Sequence, residues 1–405
     1  MPPLKNTKNP KSHRELQKKP LKNPGKNPKS VNLYIHYPYC LYKCHYCDFN
    51  SYAWEKNSIP HREYVKALIL ELSLRNFPKS YLTSIFIGGG TPSLLPPADL
   101  EYLLSSLTSF FSWNDQTEIT IEANPKTISK SGLIDYRNAG VNRISVGVQS
   151  LHDSYLGAFG RIHTVHDALC ALEAVAQTGF TSWNADLMYG FPGQTQDEFC
   201  LDMEKLFQFD PPHSSCYALT VEKGTIYEGH VAKGIYEVPN DDLQLALMNW
   251  LPSFLESKGL HPYEISNFAK PGHESKHNLN YWHYGSYLGI GAGAVSQFHH
   301  PTYRTTNLKK PGEYLDAIFN GRSWFEKEEI PEITARGEFM MMGLRLKDGL
   351  DEENFLSLFS KRLEDVFDST LVKLFQKGWI QKKPVRLTKL GLQFANLVAS
   401  EFLTP

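Results

Sequence analysis

Three of the chain's six cysteines fall within eight residues, Cys40-Leu-Tyr-Lys-Cys44-His-Tyr-Cys47, whereas Cys170, Cys200 and Cys216 are scattered through periodic apolar sequence. A C-x3-C-x2-C loop lets three thiolates converge on one compact soft-metal site. Clustering without pairing points to a metal site and not to a disulfide framework. The scattered three read as small buried hydrophobes. Structural zinc normally takes four ligands, so His36 or His45 would have to supply the fourth. An iron–sulfur cube on three cysteines instead leaves one iron open, where an amino and carboxylate chelate can bind. The spacing is compatible with either centre.

Such a loop needs a rigid scaffold, and the sequence around it supplies one. From residue 31 onward, β-rich runs alternate with helical apolar spacing: 31–36, 84–87, 118–122, 143–148, 183–188 and 214–219. Between them Tyr64, Leu68 and Leu72, then Leu100, Leu103, Leu104 and Leu107, then Ala168, Leu172 and Val175 recur at helical intervals. This alternation predicts an α/β fold, a parallel sheet with crossover helices, and six strands make an open (βα)6 barrel. Functional side chains of such a barrel gather at the C-terminal ends of its strands. Gly88 to Thr91 follow the second run, Glu122 and Asn124 close the third, Gln149 and Ser150 close the fourth, and Asp186 lies within the fifth. A core-only account gives no reason for that placement.

The formal net charge of -1 and the 41% hydrophobic share exclude a global nucleic-acid footprint and disorder along the whole chain. No run approaches the ~18 apolar residues needed to span a bilayer, and no apolar signal core opens the chain. A cytoplasmic protein without membrane insertion is therefore expected. Residues 1–30 carry nine Lys or Arg, six Pro and one acidic residue, with Lys-Asn-Pro-Lys-Ser occurring twice. That composition predicts a solvated, disordered tail. The barrel pattern fills 31–270. Residues 271–300 are a separate segment rich in aromatic residues, His and Gly, and 301–405 predict a smaller, mainly helical domain with a wing-like turn after Gly378.

The cysteine loop together with Gly88-Gly-Gly-Thr-Pro92 resembles the radical S-adenosylmethionine superfamily. That resemblance implies a [4Fe–4S] cluster on Cys40, Cys44 and Cys47, with S-adenosylmethionine chelating the open iron. Its one-electron cleavage gives a 5′-deoxyadenosyl radical. The cofactor carries this chemistry, and the protein supplies position and a water-poor site. The glycines let the backbone approach the cofactor closely.

From Tyr34-Ile-His-Tyr-Pro-Tyr-Cys40 to the tail domain, about nine tenths of the chain resembles the anaerobic coproporphyrinogen III oxidase group, which implies a HemN-like C-terminal domain. The resemblance implies that Tyr34, Tyr46, Gly89 and Glu122 contact the cluster-bound adenosylmethionine. Gly90, Thr91, Gln149, Arg161 and Asp186 match positions used for a second adenosylmethionine. Oxidases of the group carry a fourth cysteine after the Asp48 position, and this chain has Phe49. They also use an ordered N-terminal extension, where this chain has its Lys-Asn-Pro tail. Both departures point to the heme-chaperone branch, the HemW type.

That branch carries a motif resembling His277-Asn-Leu-Asn-Tyr-Trp282, which implies heme as a ligand. Physically, an imidazole beside Tyr281 and Trp282 can ligate heme iron while the rings cover a porphyrin face; a buried, hydrogen-bonded histidine is the alternative. Val295 stands where relatives are expected to have histidine, which makes His299 and His300 the nearby substitutes. Two functions stay open: a chaperone that holds heme and passes it to an acceptor protein, and an oxidase decarboxylating coproporphyrinogen propionates. A flavodoxin- or ferredoxin-type electron donor is compatible with both.

Overall fold

The structure, a computed structural model, describes residues 30–403; the Lys-Asn-Pro tail lies outside them except for Ser30. All six expected runs are strands: β1 Ser30–Tyr37, β2 Ser80–Gly89, β3 Glu118–Ala123, β4 Arg143–Gln149, β5 Ser182–Tyr189 and β6 His213–Ala218. They lie side by side in chain order, each parallel to the next. Helices α1 His61–Arg75, α2 Pro97–Leu107, α3 Lys130–Asn138, α4 Val165–Thr178 and α5 Gln196–Leu206 make the crossovers. Thr164 and Thr195 begin α4 and α5 with capping boxes closed by Asp167 and Glu198, each worth about 1 kcal/mol.

Period two along the strands divides the residues cleanly. Ile119 and Ile121, Ile144, Val146 and Val148, and Ala185 and Leu187 belong to the core shared with the helices. The alternate residues Thr120 and Glu122, Ser145 and Gly147, and Asn184 and Asp186 line the barrel's interior cavity. One chain of residues thus builds an apolar wall and a polar lumen at once.

The sheet does not stop at the sixth strand. After helix α6 Asp241–Ser257, β7 Asn267–Ala269 runs antiparallel beside β6, and helix α7 Lys276–Trp282 follows. Strand β8 Tyr287–Ile290 then returns to the opposite edge, parallel to β1. From it β9 Val295–Phe298, β10 Tyr303–Asn307 and β11 Phe325–Glu329 extend the sheet antiparallel, with α8 Pro311–Phe319 between the last two. Residues 287–329 are therefore part of the main sheet, so sheet structure crosses the boundary drawn at 301. Buried Glu71 of α1 ties this extension on, accepting hydrogen bonds from Gly291 N, Asn307 Nδ2 and Tyr314 OH.

A second core forms from Ile330 onward, with Tyr284 joining it. It comprises α9 Glu332–Gly343, α10 Glu352–Phe359, α11 Leu363–Gln376, the hairpin β12 Ile380–Lys382 and β13 Val385–Leu387, and α12 Lys389–Gln393. The hairpin is the wing-like turn expected after Gly378. Among the described residues no helix is long and apolar enough to cross a membrane.

Candidate cofactor site at the barrel mouth

The thiols of Cys40, Cys44 and Cys47 line a cavity of about 600 Å3, together with Tyr34, Tyr46, Gly89, Gly90, Thr91, Glu122, Gln149, Arg161, Asp186 and His277. The three cysteines, the residues expected to contact adenosylmethionine and His277 therefore face one space. The cysteine loop follows β1 and is pinned at both ends. Lys43 Nζ donates to the carbonyls of Phe49 (3.0 Å) and Ser51 (3.3 Å). Across the mouth, His45 donates through Nδ1 to Ala158 O (2.9 Å) and through its amide to Phe159 O (3.0 Å). His36 Nε2 donates to Asn50 O (2.8 Å), which leaves its Nδ1 to accept the Tyr34 hydroxyl (2.9 Å).

These bonds leave both nearby imidazoles engaged. His36 has both ring nitrogens engaged, and the remaining nitrogen of His45 faces the Tyr42 hydroxyl. Neither imidazole completes a zinc site. Three thiols that line one cavity suit the separate corners of a cube. Burial pushes the Cys40 thiol up to about 11 and raises Cys47 as well, so bound metal has to supply the charge that deprotonates them.

Opposite the loop, the end of β2 forms a backbone cradle. Gly89 has φ +115, and a Cβ on Gly90 would lie 2.6 Å from Tyr39 O; only glycine allows this close passage. The amides of Gly90 and Thr91 donate to Tyr37 O and Tyr39 O, and Thr91 Oγ1 donates to Cys40 Sγ (3.3 Å). Gly89 N donates to Glu122 Oε2 (3.0 Å). Burial, reinforced by Asp186, raises Glu122 to about 8. Asp186 is also raised by burial, against hydrogen bonds from Asn184 Nδ2 (2.7 Å) and Ser145 Oγ (3.2 Å). On the other wall, Arg161 Nη2 donates to Gly147 O (2.6 Å), with Nη1 3.5 Å from both Cys44 Sγ and Tyr46 OH.

Buried acids facing a cavity call for a cationic ligand, and a guanidinium near the thiols calls for an anionic one. S-adenosylmethionine carries an ammonium, a sulfonium and a carboxylate, so the residues fit it. Thr120 Oγ1 is buried without a hydrogen-bond partner and lines the same cavity.

His277 sits on the cavity wall, 1% exposed. Its Nδ1 bonds Ser84 Oγ (2.7 Å), its Nε2 bonds Tyr281 OH (3.0 Å), and the ring stacks on Phe86. Burial holds it neutral, down to about 3. As folded, neither nitrogen is free for iron. Helix α7 is seated by Glu118, whose carboxylate accepts from Lys276 N (3.0 Å), His277 N (3.2 Å) and Ser275 Oγ (3.3 Å). The two aromatic residues of the motif part company: Tyr281 lines the cavity, whereas Trp282 lies under Arg345, 4.4 Å from its guanidinium. They do not share a face for a porphyrin. Val295, His299 and His300 are absent from the cavity lining, and His299 packs on Tyr284.

Sequence reasoning missed the lower lumen. Arg143, Ser145, Asn184, His213, Ser215 and Asn267 line it and are cross-linked, for example His213 Nδ1 to Asn184 Oδ1 (2.7 Å) and Ser215 Oγ to Asn267 Oδ1 (2.7 Å). The available signal was parity along a run, of Asn184 with Asp186 and of Arg143 and Ser145 with Gln149.

Residues 34–206 match the radical SAM superfamily, and residues 330–394 match the HemN C-terminal domain. The heme chaperone HemW of Haemophilus influenzae is 36% identical over 385 residues, covering 92% of this chain and 98% of that protein. That of Bacillus subtilis is 36% identical over 380 residues, covering 92% and 99%. A zebrafish mitochondrial protein, radical S-adenosyl methionine domain-containing protein 1, is 34% identical over 83% of this chain and 78% of its own. Among solved structures, the Escherichia coli coproporphyrinogen III oxidase HemN, a radical SAM enzyme, superposes with a TM-score of 0.78 over 93% of this chain and 90% of its own, at 22% identity. That likeness establishes the fold, and the near full-length sequence matches establish the kinship: the chain belongs to the HemW family of the radical SAM superfamily.

Proposed function

We propose that this protein binds heme and passes it to an acceptor protein, with a [4Fe–4S] cluster on Cys40, Cys44 and Cys47 and S-adenosylmethionine as its regulatory or assembly elements. The observation that carries this reading is the match over 92% of the chain to relatives named heme chaperones. The cluster loop agrees with it: Phe49, 60% exposed, holds the place where oxidases of the fold are expected to have a cysteine. We further propose that Tyr34, Tyr46, Gly89 and Glu122 hold the cluster-bound adenosylmethionine, that Gly90, Thr91, Gln149, Arg161 and Asp186 face a second molecule, and that a flavodoxin- or ferredoxin-type donor reduces the cluster in the cytoplasm.

The test is heme retention followed by transfer. Protein reconstituted without oxygen is loaded with heme, desalted, and mixed with apomyoglobin as a probe acceptor. Retained heme whose Soret band moves to that of myoglobin supports the reading. Loss of heme on the column, or rapid formation of protoporphyrinogen from coproporphyrinogen in a parallel assay with reductant, returns the choice to the oxidase.

A further inference from the structure

A second cavity, of about 490 Å3, lies outside the barrel between the core and the C-terminal unit. Leu251 of α6 and Phe268 of β7 wall it on one side, and Leu344, Leu387 and Leu392 on the other. Four cations, Arg345, Lys347, Arg386 and Lys389, also line it. Glu264 is its one carboxylate among the described residues, and Arg345 Nη2 already bonds that group at 3.0 Å. Concave apolar walls with a few convergent charges at a domain interface are the usual form of a small-molecule site. Lys347 is paired likewise with Glu256 (3.7 Å), which leaves Arg386 and Lys389 to select an anion.

We propose that this inter-domain cavity holds the porphyrin, the macrocycle against the leucine walls and its two propionates on the basic residues. The inference rests on the heme-binding reading above and adds where heme sits. Two observations favour this occupant. First, the polar groups of the barrel cavity, including Asp186, Asn184 and Ser145, are already cross-linked to one another, whereas the basic groups here lie beside aliphatic walls. Second, the histidine motif reaches the cavity without entering it, because Trp282 supports the guanidinium of Arg345 from beneath. A site whose two walls belong to different structural units can also open to release its cargo.

The experiment is a Soret titration of the full-length, cluster-reconstituted protein with heme. Leu392→Trp fills the cavity, and the double variant Arg386→Glu/Lys389→Glu reverses its charge at half-buried Arg386 and exposed Lys389. Each is expected to weaken heme binding about tenfold or more, with cluster absorbance and melting temperature unchanged. Iron-free protoporphyrin IX should compete with heme, because the walls read the macrocycle and not the metal. If wild type binds heme and both variants bind it equally well, or if protoporphyrin does not compete, the site is wrong while the chaperone reading stands. If wild type binds no heme at all, the chaperone reading falls and takes this site with it.

Discussion

The amide of Gly89 donates to the carboxyl of Glu122 across 3.0 Å, joining the glycine turn at the end of β2 to the acid on β3. No basic side chain pairs with Glu122 among the described residues. The group is therefore mostly protonated at neutral pH until a cation meets it, and binding such a cation releases a proton.

Glu122→Gln is expected to separate these effects. A carboxyl raised from 4.5 to about 8 by folding contributes stability that is complete below 4.5 and is lost as pH rises through 8. In protein without cofactor, wild type should lose melting temperature between pH 5 and 8.5 relative to the glutamine variant, ending about 5 °C lower. Adenosylmethionine affinity should rise with pH in wild type, and should be about tenfold weaker and flat with pH in the variant. Parallel melting curves across that range would show that burial does not raise this carboxyl.

Reconstitution without oxygen should give about four irons and four sulfides per chain, because three thiols leave one iron open. Cys44→Ser removes the ligand beside Arg161 and should abolish the charge-transfer absorbance. Stoichiometric zinc without acid-labile sulfide would contradict the assignment. His36 and His45 are already bound elsewhere, so neither imidazole is at hand as a fourth zinc ligand.

Phe49→Cys alone should not create coproporphyrinogen oxidase activity. The position lies at the rim of the cluster cavity and is largely exposed, and one thiol does not supply a closed, propionate-binding site. The check is an anaerobic assay for protoporphyrinogen with reductant and adenosylmethionine present; turnover by this variant would mean that a single side chain separates the two activities.

The barrel was legible because short β-rich runs alternate with stretches of helical apolar spacing, and because the chemistry-bearing residues sit at the ends of those runs. The lumen below was harder to read, since Ser145, Asn184 and Ser215 are ordinary polar residues until the register pairs Ser145 with Asn184 and Asp186 with Ser215. The sheet extension escaped notice for a different reason. Residues 287–298 carry glycine at 289, 291 and 293, so their strands show neither β-branched enrichment nor period two. They are strands because Tyr287 to Ile290 pair with Asn32 to Ile35, a contact across some 250 residues that no local pattern announces. The histidine motif was visible as a motif, but its burial depends on Glu118 and Ser84, which are distant in sequence.

His277→Ala tests what that burial means. Removing the imidazole leaves Ser84 Oγ and Tyr281 OH without their shared partner and opens space beside Phe86. Lost hydrogen bonds and a buried cavity together should cost about 2–4 kcal/mol, read as a lower denaturant midpoint with an unchanged slope. With the porphyrin in the inter-domain cavity, heme should still bind and its Soret maximum should stay in place, since no iron ligand has been removed. A displaced Soret band at saturating heme would return the axial role to His277, and would require the helix Lys276–Trp282 to release the ring from both hydroxyls on loading. Tyr281→Phe distinguishes the two cases. It deletes one of the two bonds that hold the ring, so it should ease ligation and tighten heme binding if His277 is the ligand, and leave affinity unchanged if the imidazole is a structural group.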